Sequence, residues 1–154
     1  MIRKLIMPFI GAAILTLFVA GMLTSCDDKD AFVPETDLPA ASRTYIQTHF
    51  PDVAISQVWK DKDGSRTDYE VTLVNAAFLE FDKNGTVIKL ESYAGLPQST
   101  IMPNIYEYVT VKFPTQKIIK WELEDNRKVQ EVTLLMGEVE LRFDLAGNFI
   151  GFDN

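Results

Sequence analysis

Apolar positions along this chain recur first at helical spacing and then with period two, and that succession occurs twice. Leu38, Ala41, Tyr45, Ile46 and His49 fall near helical spacing and predict one amphipathic helix. Asp37 is placed to cap it, with Pro39 in the first turn, where a missing N–H costs nothing. Pro51 ends it after Phe50. Period two follows. Residues 55–60 read as a strand leading into a turn at 61–64. Next, Tyr69, Val71 and Leu73 point one way, and Asp68, Glu70 and Thr72 the other. Asn75-Ala76 makes a tight turn into a strand over 77–81. Lys83-Asn84-Gly85 signals a hairpin, because Asn-Gly supplies positive φ angles, and 86–91 is the strand that returns.

The second pass begins with Ile101, Ile105, Tyr108 and Val109 at helical spacing, Pro103 in the first turn and Pro114 at the end. Residues match in order. Tyr45 through Phe50-Pro51 corresponds to Tyr108 through Phe113-Pro114, and Glu70-Val71-Thr72-Leu73 to Glu131-Val132-Thr133-Leu134. Leu79 through Gly85 corresponds to Leu141 through Gly147, and Met136-Gly137 to the turn at Asn75-Ala76. The offset stays near about sixty-two residues, the signature of an internal repeat. Each unit reads as one helix followed by four antiparallel strands, the helix covering one sheet face. The expected fold class is α+β: two tandem units, over 37–95 and 96–154, each with one helix packed on a four-stranded antiparallel sheet. Two such units can share one long sheet or stack side by side.

The N-terminus has a different pattern. Arg3 and Lys4 precede an uncharged run over 5–23, the layout of a secretory signal. The run is about long enough to span a bilayer, so an uncleaved membrane helix is the alternative. It ends in Leu23-Thr24-Ser25-Cys26, which resembles the lipobox of bacterial lipoproteins. That resemblance implies cleavage of residues 1–25, acylation of Cys26, and a membrane-anchored lipoprotein. Residues 26–36 then form a flexible tether, polar and expected to be disordered. Asp27-Asp28-Lys29-Asp30 within it resembles the surface-export signal of Bacteroidetes lipoproteins, which implies the outer membrane, on its periplasmic or surface face.

The repeated units resemble the PepSY-like, β-lactamase-inhibitor-like family of exported bacterial proteins. The residues that carry the likeness are Phe50-Pro51, Val71-Thr72-Leu73 and Phe81-Asp82-Lys83-Asn84-Gly85. Their second-unit matches are Phe113-Pro114, Val132-Thr133-Leu134 and Phe143-Asp144-Leu145-Ala146-Gly147. These motifs mark turns and core positions. The resemblance implies a helix-on-sheet fold in two copies and a binding or inhibitory role for the open sheet face.

Composition narrows the chemistry. The formal net charge is −7, a poor match to nucleic acid or anionic lipid heads. Cys26 is the single cysteine and His49 the single histidine. A histidine-based triad would have to use His49, whose counterpart in the second unit is Lys112; both suit a helix C-terminus, which favours a cation. No phosphate loop, His-Glu-x-x-His or paired cysteine occurs. Neither an enzyme nor a cofactor is expected. Glu80, Asp82, Asn84, Gly85 and Glu91 do fall at positions 1, 3, 5, 6 and 12 of a calcium loop. Position 1 should be Asp and the flanks should be helices, and the second unit keeps the turn while losing Glu80 to Arg142 and Asn84 to Ala146. A hairpin accounts for these residues better than a metal site.

Binding is what remains. If helices cover one sheet face, large apolar side chains on the other need a reason. Trp59, Phe78 and Phe149 are the candidate contact residues, since aromatics dominate interface hot spots; core packing is the competing role for each. The expected molecule is a lipid-anchored envelope module that binds an exported protein or peptide, such as a hydrolase it inhibits. The alternative is a sensor of a small ligand or calcium, without catalysis.

Overall fold

The computed structural model describes residues 30–153 apart from Asp125 and Glu138; the signal segment and Cys26 lie outside the described residues. Helix α1 spans Ala40–His49 and α2 spans Pro103–Lys112. The strands are β1 (Ala31–Phe32), β2 (Ile55–Asp63), β3 (Arg66–Leu73), β4 (Phe78–Asp82) and β5 (Val87–Glu91). They continue with β6 (Ile118–Glu124), β7 (Val129–Leu134), β8 (Glu140–Asp144) and β9 (Phe149–Phe152). All nine lie in one antiparallel sheet, in chain order.

The expected α+β arrangement of two helix-on-four-strand units is therefore corrected. The described residues form a single, mostly β, nine-stranded sheet that carries two α-helices of ten residues each. The reason lies at the junction between repeats. On its own, β5 would end the first unit as an edge, with unpaired N–H and C=O groups. Strand β6 satisfies them, through the pairs Lys89–Glu122, Leu90–Trp121 and Glu91–Lys120. The hairpin between β6 and β7 adds a charge contact. Its Arg127 reaches back to Asp82 of the first repeat at 2.7 Å.

Two further expectations change. Leu38 precedes Pro39 and is held extended (φ −62, ψ 140), which separates Asp37 from the helix. Asp37 thus closes a short 3-10 turn, Glu35–Asp37, and α1 starts without a side-chain cap. In the second repeat Pro103 does occupy the first turn of α2. The tether, expected to be disordered through residue 36, instead supplies β1. Ala31 pairs with Lys60 and Phe32 with Trp59, and Asp30 Oδ1 accepts the Lys62 N–H at 2.9 Å. Strand β2 would otherwise be an open edge.

Register across the sheet is continuous. Val58, Val71, Leu79, Leu90, Trp121, Val132, Leu141 and Phe152 are successive cross-strand partners. From Val58 to Leu141 this apolar row is buried under the helices. Ile46 of α1 and Ile105 and Val109 of α2 join the same buried core. The rings of Phe81 and Phe143 meet Tyr45 and Tyr108 edge-on at 5.7 and 5.5 Å. Each fully buried side chain of this size contributes roughly 1.5–3 kcal/mol.

Each repeat also locks a hairpin against the start of its own helix. Asp82 Oδ1 accepts the N–H groups of Asn84 and Thr86, and Asp144 Oδ1 those of Ala146 and Asn148. Gly85 (φ +83) and Gly147 (φ +79) follow. A Cβ on Gly85 would lie 2.9 Å from both Ala41 Cβ and Ser42 N, and one on Gly147 would lie 2.5 Å from Asn104 Oδ1. The repeated Phe-Asp-x-x-Gly motif is thus a turn fitted into a helix N-terminus.

Candidate functional site

One step along each strand from the apolar row lies a second row, on the sheet face that no described helix covers. Its members, in cross-strand order, are Phe32, Trp59, Glu70, Glu80, Lys89, Glu122, Glu131, Arg142 and Gly151. It begins with two aromatics, passes through a charged middle and ends at a glycine. Two pairs of carboxylates are direct neighbours, Glu70 with Glu80 and Glu122 with Glu131. Like charges placed directly opposite destabilise a sheet, so this face is not optimised for stability alone.

Cations thread between the acids. Arg66 pairs with Asp68 and lies 3.5 Å from Glu80. Lys89 bonds Glu91 at 2.9 Å. Lys120 pairs with Glu122 and reaches Glu131 at 3.8 Å. The acids still predominate, and burial, with neighbouring carboxylates behind it, raises their proton affinities. Burial, followed by Asp61, raises the Glu70 carboxyl; burial, followed by Asp68, raises that of Glu80. Glu131 is only 6% exposed. Burial first, then the charge of Glu140, pushes its carboxyl up to about 7.

Glu131 is also shared by two carboxylate groupings, Glu122–Glu124–Glu131 and Glu131–Glu140–Asp153. In each, one oxygen per residue lies within 4.8 Å of the others. Thr133 stands two residues along β7 on the same face, opposite Glu140. It is 6% exposed, and its Oγ1 has no hydrogen-bond partner. A hard cation that takes oxygen ligands, calcium or magnesium, is the metal such donors suit. The calcium-loop residues of the first repeat are otherwise engaged. Asp82 gives Oδ1 to the hairpin and Oδ2 to Arg127.

Trp59 and Phe78 both lie on the helix-free face. Trp59 sits near its β1 edge with the Phe32 ring edge-on at 4.6 Å. Phe78 lies two residues before Glu80 on β4, with Lys89 Nζ 5.9 Å above its ring. Phe149 is elsewhere. It stacks on Tyr108 of α2 at 4.6 Å and packs against Phe143, on the core side. A register shift between Arg142 and Phe143 turns it there. His49 Nδ1 lies 3.0 Å from Ser99 Oγ in the segment joining the repeats, and burial lowers its proton affinity. No helix among the described residues is long and apolar enough to cross a membrane. Sequence reasoning placed Glu70 on the polar face of its strand but missed the row, because it did not assign neighbours across β5 and β6.

Comparison with known proteins agrees with this fold. A solved structure described as a "putative calcium-regulated periplasmic protein" from Bacteroides thetaiotaomicron is 33% identical, with a TM-score of 0.75 over 82% of this chain and 98% of that one. A "putative periplasmic protein from DUF2874 family" of Bacteroides vulgatus is 31% identical, with a TM-score of 0.73 over 83% and 99%. A second Bacteroides vulgatus protein, a "putative periplasmic protein of unknown function", is 28% identical, with a TM-score of 0.74 over 81% and 99%. Among curated proteins, the glycine–tRNA ligase beta subunit of Shewanella amazonensis is 29% identical over 143 residues. That match spans 91% of this chain but only 19% of the ligase subunit. The family described as "putative beta-lactamase-inhibitor-like, PepSY-like" matches residues 21–89 and again 67–151. Twice matched by that profile and built as two fused repeats, the chain belongs to the PepSY-like family.

Proposed function

We propose that this protein is an exported, lipid-anchored module of the bacterial envelope that binds another protein or peptide through the helix-free face of its sheet. One version is inhibition or modulation of an exported hydrolase. The observation that carries the reading is the uncovered row from Trp59 to Arg142, in which neighbouring carboxylates persist at a cost to stability. Its predominance of acids favours a partner with a basic surface, and Trp59 and Phe78 offer apolar anchors beside it. The family and the periplasmic relatives support an exported setting. The lipid anchor rests on Cys26.

The test is capture from solubilised envelope and culture fluid, using the full chain as bait. A partner should be retained at low salt and released at roughly 1 M salt, where the screening length is about 3 Å. It should be lost from a folded variant carrying Trp59→Ala, Glu70→Gln and Glu80→Gln. A partner held equally by that variant would place the contact on another surface.

A second reading is favoured by the Glu131–Glu140–Asp153 grouping beside Thr133, and by the calcium-regulated relative. Here the protein binds calcium as a sensor, without catalysis. Proton linkage gives this reading a signature. Burial, with the charge of Glu140 beside it, pushes the Glu131 carboxyl up to about 7, well above the ordinary carboxylate range. Stability without calcium should therefore fall as pH rises from that range through about 7, because the folded state binds the extra proton. Calcium has to displace that proton, so its affinity should rise from pH 5.5 to pH 8. Calorimetric titration with calcium chloride should show this in the natural chain and lose it in Glu131→Gln. Equal binding by that variant at both pH values would remove Glu131 from the site.

A further inference from the structure

The two repeats end differently. In the first, β6 closes over the end of β5, so that Leu90 is fully buried and Ile88 is 6% exposed. Ile88 is the extra residue at the register shift in β5, and it shares a hollow with Leu123 and Arg127 of the second repeat. The matching residues of the second repeat are Phe152 and Ile150 on β9, with Ile150 at the corresponding register shift. They stand 54% and 55% exposed. No strand among the described residues pairs with the outer edge of β9. An apolar rim thus runs along a strand edge that no described strand pairs with, the combination that templates another strand. The opposite edge of the sheet is guarded, but only by the two residues of β1.

We propose that the β9 edge pairs with β2 of a second copy of this chain, repeating between molecules the β5–β6 junction found inside each one. The internal junction fixes the register. Gln57, Val58 and Trp59 pair with β3 as Lys120, Trp121 and Glu122 pair with β7. Transferred to β9, Gly151 opposes Trp59 and Phe152 opposes Val58. The chemistry suits those positions. Gly151 has nothing within 4 Å of where a Cβ would stand, which leaves room for an indole across the strand. The Phe152–Val58 contact would carry the apolar row from one molecule into the next. Strand β1 is the competitor, because Phe32 occupies the place opposite Trp59 that Gly151 would take. The contact joins two different surfaces, so it produces open chains of molecules unless the rotation closes.

Sedimentation velocity of the full chain over a range of concentrations tests this, with a photo-crosslinking residue at position 150 to map the contact. Phe32→Ser should loosen β1 and strengthen association about ten-fold. Ile150→Lys, a change at an exposed site, should abolish association in both backgrounds while leaving the far-ultraviolet circular dichroism unchanged. Cross-links should run from position 150 to residues of β2 in another molecule. A monomer at every concentration even with Phe32→Ser, association that survives Ile150→Lys, or cross-links from β9 to β9 would overturn the proposal.

Discussion

Replacing Gly85 with valine should destroy cooperative folding or bring the protein close to it. Two costs add. The backbone there has φ +83, a left-handed geometry that disfavours a side chain by roughly 1–2 kcal/mol. The new Cβ also has no space, with Ala41 Cβ and the Ser42 backbone N each 2.9 Å away and Pro39 Cβ at 3.0 Å. Overpacking of this kind adds typically about 1–3 kcal/mol, and two of these three neighbours belong to the first turn of α1. The sum is a large part of the roughly 5–15 kcal/mol that holds a domain together. Gly64 is the internal control. Its φ is +59, but nothing lies within 4 Å of its Cβ position, so Gly64→Val should show the backbone cost alone. Urea unfolding of both variants separates the terms. Equal losses would mean that the hairpin is not seated on the helix as described.

The second large effect concerns cooperativity. Phe81 and Phe143 are fully buried equivalents, one per repeat, and each met by a tyrosine of its own helix. Phe81→Ala and Phe143→Ala should each cost about 3–5 kcal/mol. Because β5 and β6 are hydrogen-bonded neighbours and Arg127 ties to Asp82, either change should lower one common transition. The two tryptophans report on this separately, Trp59 in the first repeat and Trp121 in the second. Trp121→Phe leaves a probe of the first half, and Trp59→Phe a probe of the second. Both probes should move together in both alanine variants. A variant in which only the mutated half shifts would show that the repeats unfold independently, despite their shared sheet.

The local elements were legible in the residues because local physics sets them. Phe50-Pro51 and Phe113-Pro114 mark both helix ends within about a residue, and Asn84-Gly85 marks the hairpin. What local pattern does not carry is how β5 meets β6. Whether Leu90 faces Trp121 or a separate sheet depends on pairing across a connection that contains a whole helix. The same gap hid the charged row. Glu70 and Glu80 lie in one repeat and Glu122 and Glu131 in the other, and four registers, from β3 to β7, must hold before they align. Phe149 illustrates a smaller failure. One extra residue, Ile150, shifts the parity of β9, and a one-residue shift exchanges core for surface. Asp37 looked like a cap, but the extended Leu38 imposed by Pro39 lies between it and the helix.

Strand order that equals chain order bears on how such a molecule can be made. A secreted chain reaches its compartment unfolded, one end first. In this sheet every strand from β2 onward finds its preceding partner already emerged, and no strand waits for a later one to be threaded between neighbours. The longest delay is the passage from β5 to β6, which the segment with α2 fills. During that interval Leu90 lies at a growing edge, open to any other extended chain nearby. The speed with which Trp121 arrives to cover it should therefore set how much of the protein is lost to aggregation during export.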